Sequence, residues 1–248
     1  MRKFISICFL AGMLALFTGC LMVSSIDGIG TGGVVHGTGD RVSRDFAVGN
    51  FTGIDIAGGY VVVYKNSQTN AVTINMQENL FDYLEVSVSS GGVLRISSTR
   101  SFRTTSGNTP RIYVSAPYLS EIHIGGALTT ENWDTIRTER LFIHAAGAAD
   151  ATIDMEVEEL ELVLAGAGSF DLSGTADTAN FALAGAGSIN GGSLQTRVAI
   201  VSIAGASTAT VAVSDVLNAT ISGVGTIYYI GDPQINRTVA GLGTIRQR

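Results

Sequence analysis

This chain of 248 residues has three prolines, two cysteines, one tryptophan and only 15% charged residues. Scarce charge beside 46% hydrophobic residues excludes wholesale disorder, which goes with low hydrophobicity and high charge. Scarce proline excludes collagen, which also needs glycine at every third place. Fifteen basic residues against 21 acidic ones leave a net charge of −6, so no nucleic-acid partner is expected. Cys8 and Cys20 cannot make a disulfide framework, because Cys8 lies inside an apolar leader. Convincing helical periodicity is also missing. What the chain has in abundance is glycine, with 31 residues, on a length that suits one large domain or two small ones.

The leader comes first. Met1-Arg2-Lys3 is basic, and the apolar run from Phe4 to Phe17 has signal-peptide length. It is shorter than the roughly 20 residues that a helix needs to span a bilayer. It ends in Phe17-Thr18-Gly19-Cys20, which resembles the lipobox of bacterial lipoproteins, with Phe17 where those proteins usually carry Leu. The resemblance implies that residues 1–19 are a lipoprotein signal peptide and that Cys20 is acylated. Loss of Arg2 and Lys3 would leave 13 basic against 21 acidic residues, a net charge of −8. Two or more acyl chains hold a protein stably on a membrane. Leu21 stands where an Asp would resemble an inner-membrane retention signal, which favours an outer-membrane lipoprotein on the periplasmic or surface face. Residues 20–45 read as a lipid-anchored tether, made flexible by Gly28, Gly30, Gly32, Gly33, Gly37 and Gly39. The run Gly28 to Gly33 loosely resembles a dinucleotide loop, but it follows no strand and opens no helix, and no cofactor is expected.

From residue 121 the glycines recur. Two apolar residues two apart precede glycine, a small residue and then Ser or Thr. The copies include Leu164-Ala165-Gly166-Ala167-Gly168-Ser169 and Leu183-Ala184-Gly185-Ala186-Gly187-Ser188. The anchor glycines are 126, 147, 166, 185, 205, 223 and 241, separated by 18–21 residues. Within each copy the period is two: Leu160, Leu162, Leu164, Phe170 and Leu172 alternate with Glu161, Val163, Ala165, Ser169 and Asp171. That alternation predicts strands with one buried face. A strand-only repeat of this length is too short for a propeller blade and fits one turn of a parallel β-solenoid. The glycines are expected where a narrow coil bends its backbone inward and leaves no room for a side chain.

Stacked coils predict ladders. Three places after each anchor glycine stand Thr129, Asp150, Ser169, Ser188, Thr208, Thr226 and Thr244, an outward row of hydroxyls with one carboxylate. This row is the candidate ligand-facing surface, and its plainer role is sheet stabilisation at tenths of a kcal/mol per pair. One place further, Thr130, Ala151, Phe170, Ile189, Ala209, Ile227 and Ile245 form a mostly apolar inward row.

Residues 46–120 read as an irregular β head. Strands are expected at 54–56, 60–64, 71–76, 84–88, 93–96 and 112–115, with Ser89 to Gly92 as a hairpin-type turn. A short helical or irregular excursion is expected at Gln77 to Phe81 and a loop at Thr99 to Pro110.

Several of these residues together resemble a known family. The head carries Phe51-Thr52-Gly53-Ile54-Asp55-Ile56, then Tyr60-Val61-Val62-Val63, Glu78-Asn79-Leu80, Gly92-Val93-Leu94-Arg95-Ile96 and Ala116-Pro117-Tyr118-Leu119. The coils add Gly187-Ser188-Ile189-Asn190. This combination resembles the auto-transporter adhesin head GIN domain family of bacterial envelope proteins, over about residues 46–248. The resemblance implies an all-β, right-handed parallel β-helix (β-solenoid) as a single domain over 46–248, on an exported and often lipid-anchored protein. It implies no chemistry.

Many β-helices cleave polysaccharides, and that chemistry requires a defined set of side chains. A lyase needs a carboxylate cluster for Ca²⁺ and a base, and a hydrolase needs paired carboxylates. Asp150 and Asp171 lie one coil apart but two places out of phase, and Asp154, Asp177 and Asp215 fall in expected turns. His123 and His144 each precede an anchor glycine by three places and would stack on one row, with Glu121 the only further ligand in view. That is short of a metal site, and none is expected. Paired threonines of the ice-binding kind occur only at Thr208 and Thr210. The expectation is a non-enzymatic envelope lipoprotein, a β-helical binding or structural module. A glycan ligand, a protein ligand and self-association remain open as partners, besides the membrane. The alternative is a carbohydrate-active enzyme, a polysaccharide lyase or hydrolase, with a site in the irregular 65–120 region using Glu78, Asp82, Arg95, Arg100 and Arg111.

Overall fold

Alternating apolar residues can bury one face of a strand only if something closes over that face. Here the chain closes over itself. The structure, a computed structural model, describes residues 33–248. The head holds β1 (Val35–His36), β2 (Arg41–Phe46), β3 (Gly53–Ile56), β4 (Gly59–Asn66), β5 (Ala71–Gln77), β6 (Leu84–Val88), β7 (Val93–Ser98), β8 (Phe102–Arg103) and β9 (Arg111–Ala116). A 3-10 turn, Glu78–Tyr83, joins β5 to β6 and buries Leu80 and Phe81. The stack holds β10 (Glu121–Ile124), β11 (Ala127–Thr130), β12 (Ile136–Ala145), β13 (Ala148–Leu164), β14 (Ala167–Leu183), β15 (Ala186–Ile203), β16 (Ala206–Ile221), β17 (Val224–Ile230), β18 (Gln234–Val239) and β19 (Leu242–Gln247).

Every pairing within the stack is parallel, and each coil lies on the one before it. Ala148 pairs with Ala167, Ala167 with Ala186, Ala186 with Ala206 and Ala206 with Val224. This is the expected β-solenoid with coils near 19 residues. The expected inward row is in register from Ala151 through Phe170, Ile189, Ala209 and Ile227 to Ile245. Its members from Ala151 to Ile227 are buried. The core runs on through Leu160, Leu162, Leu164, Phe181, Leu183, Val201 and Ile203.

The anchor glycines stand, as expected, where no side chain fits, and the obstacle is the backbone of the neighbouring coil. None of the seven has a positive φ, so backbone strain does not select them. The carbonyl of Gly147 accepts a hydrogen bond from Ala167 in the next coil, and Gly166 does the same for Ala186. Each such oxygen therefore sits directly against the next anchor glycine. A Cβ added at Gly166 would overlap the oxygen of Gly147, and one at Gly185 would overlap that of Gly166. The same holds at Gly126, Gly205, Gly223 and Gly241, and the column starts at Gly58 in the head. Close approach of backbone to backbone is the requirement.

The head departs from this regularity. The strands β2 and β5, β5 and β9, and β6 and β7 pair antiparallel. Its coil order is also broken once. On one side of β3 and β4 lie β7 and β9. On the other side lie β10 and β11. Residues 93–116 thus lie next to β3 and β4, with β6 and β5 paired on their far side, and the chain crosses back to continue the stack from residue 121. The expected head strands are all present, β6 with the expected bounds. Gly92 closes the β6–β7 turn with φ of +75°.

Two expectations need correction. The tether expected over 20–45 is not a tether in its described part: β1 pairs with β8, and β2 pairs with β5 along its whole length. The backbone hydrogen bonds that a free tether would leave to water are satisfied within the head. The loop expected at 99–110 likewise contains β8. The leader 1–19, the Cys20 acylation site and residues 20–32 lie outside the described residues.

Candidate functional site

The hydroxyl row assembles in full register. Thr129 pairs with Asp150, Asp150 with Ser169, and Ser169 with Ser188. Ser188 then pairs with Thr208, Thr208 with Thr226, and Thr226 with Thr244. Alternation along each strand keeps the row on the outside while its neighbours fill the core. Ser169 and Ser188 share a hydrogen bond of 3.1 Å through their hydroxyls. No other side-chain hydrogen bond joins one member of the row to the next among the described residues. A second polar row flanks it, where Asn190 donates to Asp171 at 2.9 Å.

At its head end the row runs into an open groove of about 760 Å³. One wall is the segment from Ser97 to Thr104, and the other carries Thr129 and Asp150. Tyr60 and Phe102 line it as an edge-to-face pair with ring centroids 6.2 Å apart. Tyr60 is only 2% exposed, and its buried hydroxyl has no hydrogen-bond partner. Burial pushes that phenol up to about 12, because the phenolate would lose its solvation. Arg100 and Arg103 also line the groove. Neither makes an ion pair among the described residues.

The residues offered for catalysis are not brought together. Glu78 pairs with Arg44 at 3.6 Å, Arg95 with Asp55 at 3.4 Å, and Arg111 with Glu131 at 2.8 Å. Asp82 is exposed on the 3-10 turn. Arg100 lies over the Tyr83 ring at 5.6 Å, at the edge of the groove. The hydrogen bond from Arg111 holds the Glu131 carboxyl below its usual range. The hydrogen bond from Lys65 does the same for Asp134. These two pairs tie β4 and β9 of the head to the segment after β11.

The histidines stack as expected. His123 pairs with His144 across adjacent coils, and their rings meet edge to face at 5.9 Å. His123 shares a hydrogen bond of 2.5 Å with Glu121. Asp55 and Arg95 stand beside them around a second recess of about 300 Å³. Among the described residues no three His, Cys, Asp or Glu side chains come close enough to hold a metal.

The ladder was readable because it repeats with the anchor glycines. The groove was not, because Tyr60, Ser97 to Arg103 and Asp150 come from three separate parts of the chain. The one available signal was the basic pair Arg100 and Arg103 in an otherwise polar loop.

Three solved structures show how general this architecture is. A crystal structure described as a putative adhesin from Bacteroides fragilis is 24% identical, with a TM-score of 0.75, over 86% of this chain and all of that one. One described as a putative lipid binding protein from Parabacteroides distasonis is 23% identical, with a TM-score of 0.67, over 87% of this chain and all of that one. A putative adhesin from Parabacteroides merdae is 20% identical, with a TM-score of 0.61, over 86% of this chain and 98% of that one. At these identities they show the fold. No curated protein matches the chain. The family profile described as "Putative auto-transporter adhesin, head GIN domain" matches residues 50–233, and the chain belongs to that family.

Proposed function

We propose that the chain is an exported, lipid-anchored, non-enzymatic envelope protein whose solenoid presents a ligand-binding surface. The observation that carries this is the unbroken row from Thr129 to Thr244, seven polar residues in register on an outward face. A scaffold alone requires only small residues there. Hydroxyls on a rigid array offer donors and acceptors at the 4.7–4.9 Å spacing of the strands. Membership of an adhesin-described family supports display at the cell surface. The adhesin descriptions of similar structures point the same way. The non-enzymatic half is supported by the scatter of the head's charged residues over separate ion pairs.

The anchor is tested by Cys20→Ala. Cells fed a labelled fatty acid are expected to acylate the parent protein and not the variant, and the variant is expected to leave the membrane fraction. Label retained in the variant, or missing from the parent, contradicts the lipoprotein reading. Turnover of polysaccharides by the purified protein would contradict the non-enzymatic reading.

A further inference from the structure

The head-end groove combines features that the rest of the surface keeps apart. Six arginines, Arg44, Arg95, Arg111, Arg137, Arg140 and Arg197, are each held by a carboxylate. Arg100 and Arg103 are not, and of the six described arginines without a carboxylate partner, which also include Arg41, Arg237, Arg246 and Arg248, they are the two that line this groove, on a chain with a net charge of −6. Two unneutralised guanidiniums on an acidic protein favour an anionic guest, and a planar guanidinium binds a carboxylate through two parallel hydrogen bonds. The facing wall carries Asp150, also without an ion pair, and the Thr129 hydroxyl. A carboxylate there disfavours a second anionic group beside it but accepts hydrogen bonds from the hydroxyls of a sugar ring whose own carboxylate lies on the arginines. The floor includes Tyr60, whose hydroxyl is one of two buried side-chain polar atoms left without a partner among the described residues. Phe102 adds an apolar surface for the C–H face of a ring. The volume of 760 Å³ lies within the 300–1,000 Å³ range typical of ligand sites.

We infer that this groove binds an acidic saccharide, a sugar chain bearing uronic-acid carboxylates. Arg100 and Arg103 take the carboxylate, and Asp150 and Thr129 take ring hydroxyls. A chain longer than the groove runs out along the hydroxyl row. This assignment rests on the reading of the solenoid as a binding surface and names the ligand class for it.

The test is calorimetric titration of the full-length protein in detergent with trigalacturonate and with trimannuronate, against neutral galactotriose. At least one acidic trisaccharide is expected to bind saturably, and galactotriose at least about tenfold more weakly. The double variant Arg100→Gln/Arg103→Gln is expected to weaken acidic binding by at least about tenfold at an unchanged melting temperature. Arg237→Gln, in β18 at the far end of the stack, is expected to leave it unchanged. No binding of either acidic probe, equal binding of galactotriose, or full affinity in the double variant overturns the assignment. Retention of acylation at Cys20, or capture of another ligand on the row, in that event leaves the anchored binding module standing and removes only its acidic-sugar ligand.

Discussion

In the head, large side chains do the closing: Phe51, Tyr60, Tyr64, Leu80 and Met76 are buried among strands that pair both parallel and antiparallel. In the stack, the backbone does it. Seven anchor glycines bring each coil's carbonyl against the coil above, and Ala, Ser and Thr occupy the tight bend beside them. The head tolerates irregular order because its packing is set by side-chain shape. The stack tolerates almost none, because one Cβ at an anchor position meets peptide backbone, which cannot swing aside. The stack is therefore regular and narrow, whereas the irregular Ser97 to Thr104 segment of the head leaves a groove against its first coils.

The largest effect that would sharpen this contrast is in the stack's core. Phe170 is fully buried between Ala151 and Ile189 in the inward row. Phe170→Ala is expected to cost about 4 kcal/mol, since coils clamped by backbone contacts cannot collapse into the cavity. Chemical denaturation would show it as a lowered midpoint. A loss below about 1 kcal/mol would mean that the stack relaxes as freely as a loosely packed core.

A smaller effect of opposite sign is expected in the head. Tyr60→Phe removes a buried hydroxyl that has no partner. It is expected to raise stability by about 1 kcal/mol, because an unsatisfied buried hydroxyl costs desolvation without return. A destabilised variant would show that the hydroxyl is satisfied in solution.

The smallest effect concerns acid. Arg111, Lys65, Arg137 and Arg197 hold Glu131, Asp134, Glu156 and Asp177 below their usual carboxylate values, chiefly through side-chain hydrogen bonds. A depressed folded-state pKa adds stability that is fully present above the unfolded value, near 4.5 for Glu and 3.8 for Asp. It is lost as pH falls through the folded value. The melting temperature should therefore vary little with these groups at neutral pH and decline below about pH 4. Three of the pairs are exposed and Arg111–Glu131 is half-buried, so the decline should be shallow and should shrink in high salt. Two of them join head to stack and two join coil to coil. Lys65→Met and Arg197→Met should thus flatten the acid limb to a similar, small extent.

The sequence made the stack legible and the head only partly so. Period-two alternation nested in a repeat near 19 residues leaves a single arrangement for the segment 121–248, down to the register of Ser169 on Ser188. The head strands at 54–56, 60–64 and 84–88 could be found by local pattern. Their order could not, because the placement of 93–116 beside 53–66 depends on pairings far apart in sequence. Strands β1 and β2 were hidden in a glycine-rich stretch where Val35 and Val42 give no alternating pattern long enough to notice. The ladder half of the candidate site followed from the repeat, while the groove required the fold.

Backbone contact, not backbone strain, selects the anchor glycines. Gly185 would place a Cβ on the oxygen of Gly166, whereas Gly59 in the head has nothing within 4 Å of that position. The most direct measurement is the melting temperature of Gly185→Ala beside that of Gly59→Ala. A loss of about 3 kcal/mol, or roughly 6–12 °C, is expected for Gly185→Ala. For Gly59→Ala a change within about 0.5 kcal/mol is expected. Two variants that melt alike would contradict selection by backbone contact.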